Sequence, residues 1–268
     1  MIRAAVLGSP IAHSLSPLLH RAAYRALGLD GEYEAIEVEA AGLAEFIATR
    51  DRTWTGFSLT MPLKEEVLEI ADSIDPLALQ IQSANTLLRS ESGWHAVTTD
   101  VSGFQHALIA NGVVRYEKIV IIGAGATARA AAAACDELGK HIVVINRSNK
   151  REEAMRVAVR KCRISFIEWN ERLPEGDLII NTTPSGVADI FVAQCTSKPE
   201  GLFFEALYHP WPTKLLTRWR ALGGDTIDGL DLLVHQAIDQ ISLMCNVKVN
   251  RDELAPLLRA EGLAVLEG

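Results

Sequence analysis

KIVIIGAGATARA, residues 118–130, is an apolar run that breaks on two glycines and resumes as an alanine-rich stretch. A strand apolar at every position is buried on both faces, as in a parallel sheet. The alanine-rich stretch reads as a helix to 138, stopped at Gly139. A strand, then Gly-x-Gly-x-x-Ala, then a helix is the context in which backbone N–H groups receive a pyrophosphate. Gly123 permits the tight turn, Gly125 lets a phosphate approach the backbone, and Ala128 fills the third small position. Ala124, Ala126 and Thr127 complete the loop. The same turn can also exist without a ligand, and the spacing alone leaves that open.

The next apolar strand, HIVVI (141–145), runs into Asn146-Arg147-Ser148-Asn149-Lys150-Arg151. Enzymes that use NAD usually carry an acid about 20 residues past the glycines, on the ribose 2′-hydroxyl. This segment has no acid and three cations. A guanidinium offers a fork of donors that fits a phosphate, so Asn146, Arg147, Ser148 and Arg151 point to NADP(H). The competing reading is a solvated helix start, although cations there oppose the helix dipole.

Outward from this unit, DLIIN (177–181), LFFEA (202–206) and DTI (225–227) continue the series of short apolar strands. The alternation predicts a Rossmann-type, doubly wound α/β domain over 102–232. Residues 1–101 have a different texture. Strands are predicted at 3–8, 33–38 and 55–60, with a hairpin over 84–97 and helices from Pro17, over 41–49 and over 63–72. LDLLVHQAIDQISLM (230–244) is a long amphipathic helix expected to pack back on this half. The first domain is therefore 1–101 with 233–268, again α/β, with the C-terminal helices returning to it.

Of 268 residues, 49% are hydrophobic and 22% charged, which excludes a disordered chain. No run of about 18 apolar residues could span a bilayer. A net charge of −8 argues against nucleic acid and for small-molecule partners. Four cysteines, none in a CxxC pair, predict no metal site and suit a reducing compartment. The N-terminus lacks the long apolar core of a secretion signal, so a cytoplasmic protein is expected.

On the substrate side, Ser14 and Ser16 flank a helix start, where hydroxyls suit a carboxylate or simply cap the helix. Lys64 sits in the first turn of a short helix, the unfavourable end for a cation. It reads as an acid/base group or a surface lysine. Asp100, at the domain junction, is a partner for it or a helix cap. Tyr208 follows LFFEA, where ligands of such sheets bind, or else packs in a rigid turn with Trp211. Gln236 interrupts an apolar helix face, so its amide needs partners if buried.

In order along nearly the whole chain stand GSPIAHSLSP, SLTMPLK, SANTL, TTDVSGF, GAGATARA, NRS, INTTPSG, EALYHPWPT and DGLDLLVHQA. Together they resemble the shikimate dehydrogenase (shikimate/quinate dehydrogenase) family, and the ALYHPWPT loop looks like actinobacterial forms. The resemblance implies reversible, NADPH-dependent reduction of 3-dehydroshikimate to shikimate, a step toward chorismate and the aromatic amino acids. It implies that Ser14 and Ser16 bind the substrate carboxylate and that Lys64 is the acid/base. Asn85 and Asp100 would hold ring hydroxyls and the lysine, with Thr60, Tyr208 and Gln236 lining the site. Thr182, Ala206 and Gly229, in the later motifs, would face the cofactor. Departures are Thr98 for Asn, Ser83 for Gly, Ala126-Thr127 in the glycine loop, and Glu205 for Asp. None removes a catalytic group, and both serines favour shikimate over quinate. A quinate enzyme and a non-catalytic nucleotide sensor are the alternatives. A monomer or homodimer is expected.

Overall fold

Ala4, Ala5, Val6 and Leu7 are sealed from solvent, and in the computed structural model they lie in strand β1 (Ile2–Gly8). The described residues are 1–113, 115–169 and 172–268. They form two units, Met1–Gly103 with Leu233–Gly268, and Phe104–Leu232.

The first unit continues with α1 (Ser16–Leu27), β2 (Gly31–Glu37), α2 (Leu43–Ala48), β3 (Gly56–Leu59) and α3 (Leu63–Glu66). Then come β4 (Ser73–Ile74), α4 (Pro76–Gln80), β5 (Thr86–Ser90), β6 (Gly93–Val97) and the start of α5 (Asp100–Ala110). Its six-stranded sheet has the order β2-β1-β3-β5-β6-β4. β1 runs parallel to β2 and β3, whereas β5 is antiparallel to β3 and β6. Leu7, Phe57, Leu59, Trp54, Trp94 and Val67 meet in one buried cluster of this unit. The parallel arrangement brings the carboxyl ends of β1 and β3 to one edge. There Ser9 N donates to the Met61 carbonyl at 3.0 Å and Thr60 N to that of Leu7 at 2.9 Å. The loops carrying Ser14, Ser16, Thr60 and Lys64 leave from that edge.

The second unit holds β7 (Lys118–Ile122), α6 (Ala126–Cys135), β8 (His141–Asn146), α7 (Glu152–Ala158) and β9 (Arg163–Glu168). It continues with β10 (Leu178–Asn181), β11 (Leu202–Glu205), α8 (Lys214–Ala221) and β12 (Thr226–Ile227). The six strands are all parallel, in the order β12-β11-β10-β7-β8-β9. Strand order reverses at β7. Ligands of such sheets bind outside the carboxyl ends at that reversal, and the glycine loop stands there. Helix α9 (Gly229–Cys245) starts in this unit and ends in the first, followed by α10 (Arg251–Leu266). Arg25 of α1 reaches Glu261 of α10 at 3.8 Å.

The predicted helix over 63–72 is shorter than its pattern suggests. α3 stops at Glu66 and a 3-10 turn follows over Val67–Glu69. The apolar spacing Leu63, Val67, Ile70 suits either helix type, so periodicity could not separate them. β9 was not anticipated. It is an edge strand with polar and half-exposed residues, which weakens the apolar signal. Among the described residues no helix is long and apolar enough to cross a membrane, and no group of His, Cys, Asp or Glu could hold a metal ion.

Candidate active site

In the first unit a lysine, two amides and a carboxylate converge. The Lys64 ammonium donates to Asp100 Oδ2 at 2.6 Å, with side-chain exposures of 17% and 7%. Asp100 opens α5, but its two oxygens are engaged by side chains. Asn85 Nδ2 donates to the other oxygen at 2.9 Å. The same amide nitrogen reaches Thr99 Oγ1 at 2.9 Å and Gln236 Oε1 at 3.2 Å. Its carbonyl accepts from the Thr99 backbone N–H at 2.7 Å. Gln236 passes its own amide protons to the Leu233 carbonyl at 2.8 Å. Each buried amide thus has the partners burial demands.

Four elements set this geometry. α3 follows the β3 loop and presents Lys64, β5 begins just after Asn85, α5 opens with Asp100, and α9 supplies Gln236. α5 and α9 approach closely because Gly103 lacks a side chain. A Cβ there would lie 2.8 Å from Gln236 Cβ and 3.1 Å from its backbone nitrogen. The turn before α5 is tied down as well. Ser102 donates to Asp239 at 2.6 Å, with the Thr99 carbonyl 3.1 Å from the same hydroxyl, and Arg251 pairs with Asp239.

Ser16 is the first residue of α1, and the position before the helix is Leu15, with no side-chain capping bond. The capping alternative for Ser16 is therefore not realised. Ser14 Oγ accepts from the Ser16 N–H at 3.3 Å and keeps its own proton to donate. Ser14 and Ser16 thus stand at the amino end of a 12-residue helix, the end that favours an anion. Thr60 caps the edge between β1 and β3, its carbonyl accepting from Leu63 N at 2.8 Å.

His20, on α1, is fully buried and stacks on Tyr33 with ring centroids 3.8 Å apart. Burial pushes its pKa down to about 4, against the opposing pull of its bond to the Ser16 carbonyl. That bond uses Nδ1 at 2.9 Å, and Nε2 has no partner.

The second unit carries the remaining candidates. Gly123 adopts φ +108°, and a Cβ there would meet Thr182 Oγ1 at 2.7 Å, so only glycine fits this turn. Thr182 in turn donates to the Ile122 carbonyl at 2.8 Å. Gly125 stands before the first turn of α6, where Ala126 and Thr127 leave N–H groups without intrahelical partners. Ala124 lies between the two glycines, and Ala128 is fully buried. Arg151 Nη1 lies 3.3 Å from the place a Gly125 side chain would occupy, which sets a guanidinium across the glycine loop. Asn146 ends β8, its amide bonded to the Ser148 carbonyl at 2.9 Å. Arg147 and Ser148 are exposed beyond it. A glycine loop with only small side chains, a helix amino end and two guanidiniums suit a dinucleotide carrying an extra phosphate.

Behind this loop sits a buried knot. Asn181 donates to both Glu205 oxygens at 3.0 Å, and Thr213 donates to one of them at 2.8 Å. Burial lifts the Glu205 carboxyl above the usual range, while the donors from Asn181, Thr213, Leu207 and Ala206 pull it back. Ala206 follows Glu205, and Gly229 opens α9 with the Leu207–Tyr208 peptide packed upon it. Tyr208 is half-buried and belongs to the second unit.

Thr86, Thr99, Ser58 and Gln240 were not singled out in the sequence, although all are buried within or beside this network. For Gln240 a signal existed. It lies one helical turn beyond Gln236, on the same apolar face.

Residues 6–87 match the shikimate dehydrogenase substrate binding domain, and residues 106–196 match shikimate / quinate 5-dehydrogenase. A shikimate dehydrogenase (NADP(+)) of Cereibacter sphaeroides is 35% identical over 262 residues, 93% of this chain and 94% of that protein. The crystal structure of Mycobacterium tuberculosis shikimate dehydrogenase superposes with a TM-score of 0.85 at 35% identity, covering 97% of this chain and 100% of the other. A Thermus thermophilus shikimate 5-dehydrogenase in complex with NADP(H) and shikimate gives 0.81 at 31% identity, covering 97% and 100%.

Proposed function

The chain belongs to the shikimate dehydrogenase family, and we propose from this and from the Lys64 cluster that it reversibly reduces 3-dehydroshikimate to shikimate with NADPH. It is an oxidoreductase acting on a CH–OH group, one step in the route to chorismate and aromatic amino acids.

The observation that carries this reading is the Lys64–Asp100 ion pair inside a network of buried amides. When bound, the cofactor supplies or accepts the hydride. The chain's residues handle the rest. As the ring ketone is reduced, its oxygen gains negative charge. Lys64 stabilises that charge and gives up a proton to it, and in the reverse direction takes the hydroxyl proton. Asp100 aims the ammonium and with Asn85 holds the ring hydroxyls, and Gln236 lines the site. Ser14 and Ser16 receive the carboxylate, with Thr60 and Tyr208 completing the substrate contacts. The glycine loop, from Gly123 through Thr127, takes the pyrophosphate. Asn146, Arg147, Ser148 and Arg151 take the 2′-phosphate. Thr182, Ala206 and Gly229 line the remainder of the cofactor path. A non-catalytic sensor would have no use for an ammonium held at 2.6 Å by a buried carboxylate.

The four cysteines carry free thiols, which suits a reducing cytoplasm. The working unit is a monomer or homodimer without nucleic-acid or membrane partners, and light scattering on purified protein decides between the two.

The decisive experiment follows the absorbance of reduced nicotinamide with each pairing of shikimate or quinate and NADP⁺ or NAD⁺. Fast turnover confined largely to shikimate with NADP⁺ is expected. Turnover only with quinate and NAD⁺ would refute both the serine and the arginine assignments, and no turnover with any pair would refute the enzyme.

A further inference from the structure

Behind the lysine cluster runs a buried chain of hydrogen bonds whose direction is fixed at every step. Tyr33 donates its phenolic proton to Ser58 Oγ at 2.5 Å. Ser58 therefore gives its own proton to Gln240 Oε1, at 2.7 Å. With its oxygen so engaged, Gln240 can turn only Nε2 toward β5. That nitrogen donates to the Asn85 backbone carbonyl at 3.1 Å and to Thr86 Oγ1 at 2.9 Å. Thr86 then has one proton left, and it goes to Asn85 Oδ1 at 3.1 Å. The Asn85 amide is left with its NH₂ facing Asp100.

Tyr33, Ser58, Thr86 and Gln240 are all at most 4% exposed. Water cannot substitute for a missing partner there, so each donor and acceptor constrains the next.

Besides its 3.2 Å bond to Gln236 Oε1, Asn85 has two sets of restraints. Thr99 and Asp100 bind it from the turn that opens α5, and these contacts move with Asp100 itself. Gln240 and Thr86 bind it from the sheet side, where Leu59 N also holds the Asn85 carbonyl at 2.8 Å. The second set registers the amide, and through it Asp100 and Lys64, against β3 and β5.

We infer that Gln240 is a positioning residue for this reaction, acting through Thr86 to hold the Asn85 amide against Asp100. The inference rests on the reaction proposed above. Gln240 touches neither Lys64 nor Asp100 in the network, so its effect is indirect.

The test compares Thr86→Val, Thr86→Ser, Gln240→Met and the double variant Thr86→Val/Gln240→Met. Val keeps the shape of Thr without the hydroxyl, Ser keeps the hydroxyl, and Met keeps the length of Gln without its amide. Thr86→Val and Gln240→Met are expected to lower kcat about ten-fold with KM for shikimate changed about two-fold or less, because small misplacements of reacting groups cost rate. Thr86→Ser should recover most of the loss. The double variant should fall little below either single, as residues in one network are not additive. A readout independent of turnover is the Asn85 side-chain NH₂ signal in protein labelled with ¹⁵N-asparagine. It should shift and exchange faster with solvent in Thr86→Val and Gln240→Met, and stay in Thr86→Ser.

Unmoved Asn85 signals in both variants overturn the inference, as does a Thr86→Ser loss equal to that of Thr86→Val, or a lower Tm with kcat intact. If Gln240→Met fails to fold, the Val and Ser pair at Thr86 decides alone. If the wild-type protein does not turn over shikimate while the signals move as described, the proposed reaction falls and the positioning stands.

Discussion

The two units bury polar side chains for different ends. In the first, the groups assigned to the chemistry are themselves inside the network. Lys64, Asp100, Asn85 and Gln236 hold one another at 2.6–3.2 Å. In the second, the network lies behind the site. Asn181, Glu205 and Thr213 are locked together, while Arg147 and Ser148 stand exposed at the end of β8. The difference matches the tasks proposed for the two units. Moving a proton to a forming alkoxide requires a donor held to within a fraction of an ångström. Attracting a phosphate requires charge and free N–H groups, which tolerate motion.

The largest test removes the group the first unit is built to hold. Lys64→Ala should lower kcat by roughly 10²–10⁴ with little change in KM, measured by steady-state kinetics with shikimate. An unchanged kcat would mean that the tight network serves only stability.

The second test opens the knot behind the nucleotide loop. Asn181→Leu should leave the Glu205 carboxylate short of its principal donor and cost about 3 kcal/mol of stability at neutral pH. The Glu205 carboxyl is already raised, and losing Asn181 raises it further. A raised carboxyl favours the folded state below its unfolded value and loses that advantage as pH climbs through the folded one. The variant should therefore lose more Tm at pH 7 than at pH 4. Equal losses at both would show that only packing was removed.

A third test sits beside the first unit's network. His20 has a folded value of about 4 against 6.5 unfolded. The unfolded chain binds the proton first, so stability is complete above pH 6.5 and declines as pH falls toward 4. The total is roughly 3 kcal/mol at about 1.4 kcal/mol per unit. In His20→Leu that slope should vanish from urea midpoints measured across the window. A persistent slope would place its origin elsewhere.

The smallest test addresses the exposed cations. Arg147→Ala should raise KM for NADPH about ten-fold, near 1.4 kcal/mol, and leave KM for NADH almost unchanged. Equal effects on both cofactors would remove the 2′-phosphate from that position.

How much of this was legible follows the same division. The nucleotide loop announces itself, because a strand buried on both faces is apolar throughout and the turn after it demands glycine. β7 spans Lys118–Ile122, the KIVII stretch that pattern marks. The Lys64–Asp100 pairing was also open to reading, since a lysine in a first helical turn needs an anion. Hidden were the residues whose role is a direction of hydrogen bonding. Nothing in the letter at Thr86 or Ser58 says where its proton goes, because that depends on partners 154 and 182 residues away. The short β4 and α4 escaped for a local reason. Two and five residues are too few for a period to show.

One close approach in the first unit bears on how such a chain can change over generations. A side chain at Gly8 would need the space of Thr60 Cγ2, 2.4 Å from its first carbon, with the Met61 carbonyl at 3.0 Å behind it. Two positions far apart in sequence therefore share one volume. A scan that alters single positions would score Gly8 as immutable, yet the most severe part of the constraint belongs to the pair. Any lineage that enlarges residue 8 must first trim residue 60, so if Thr60 lines the substrate as proposed, a change of first turn and a change of substrate contact are tied to one another.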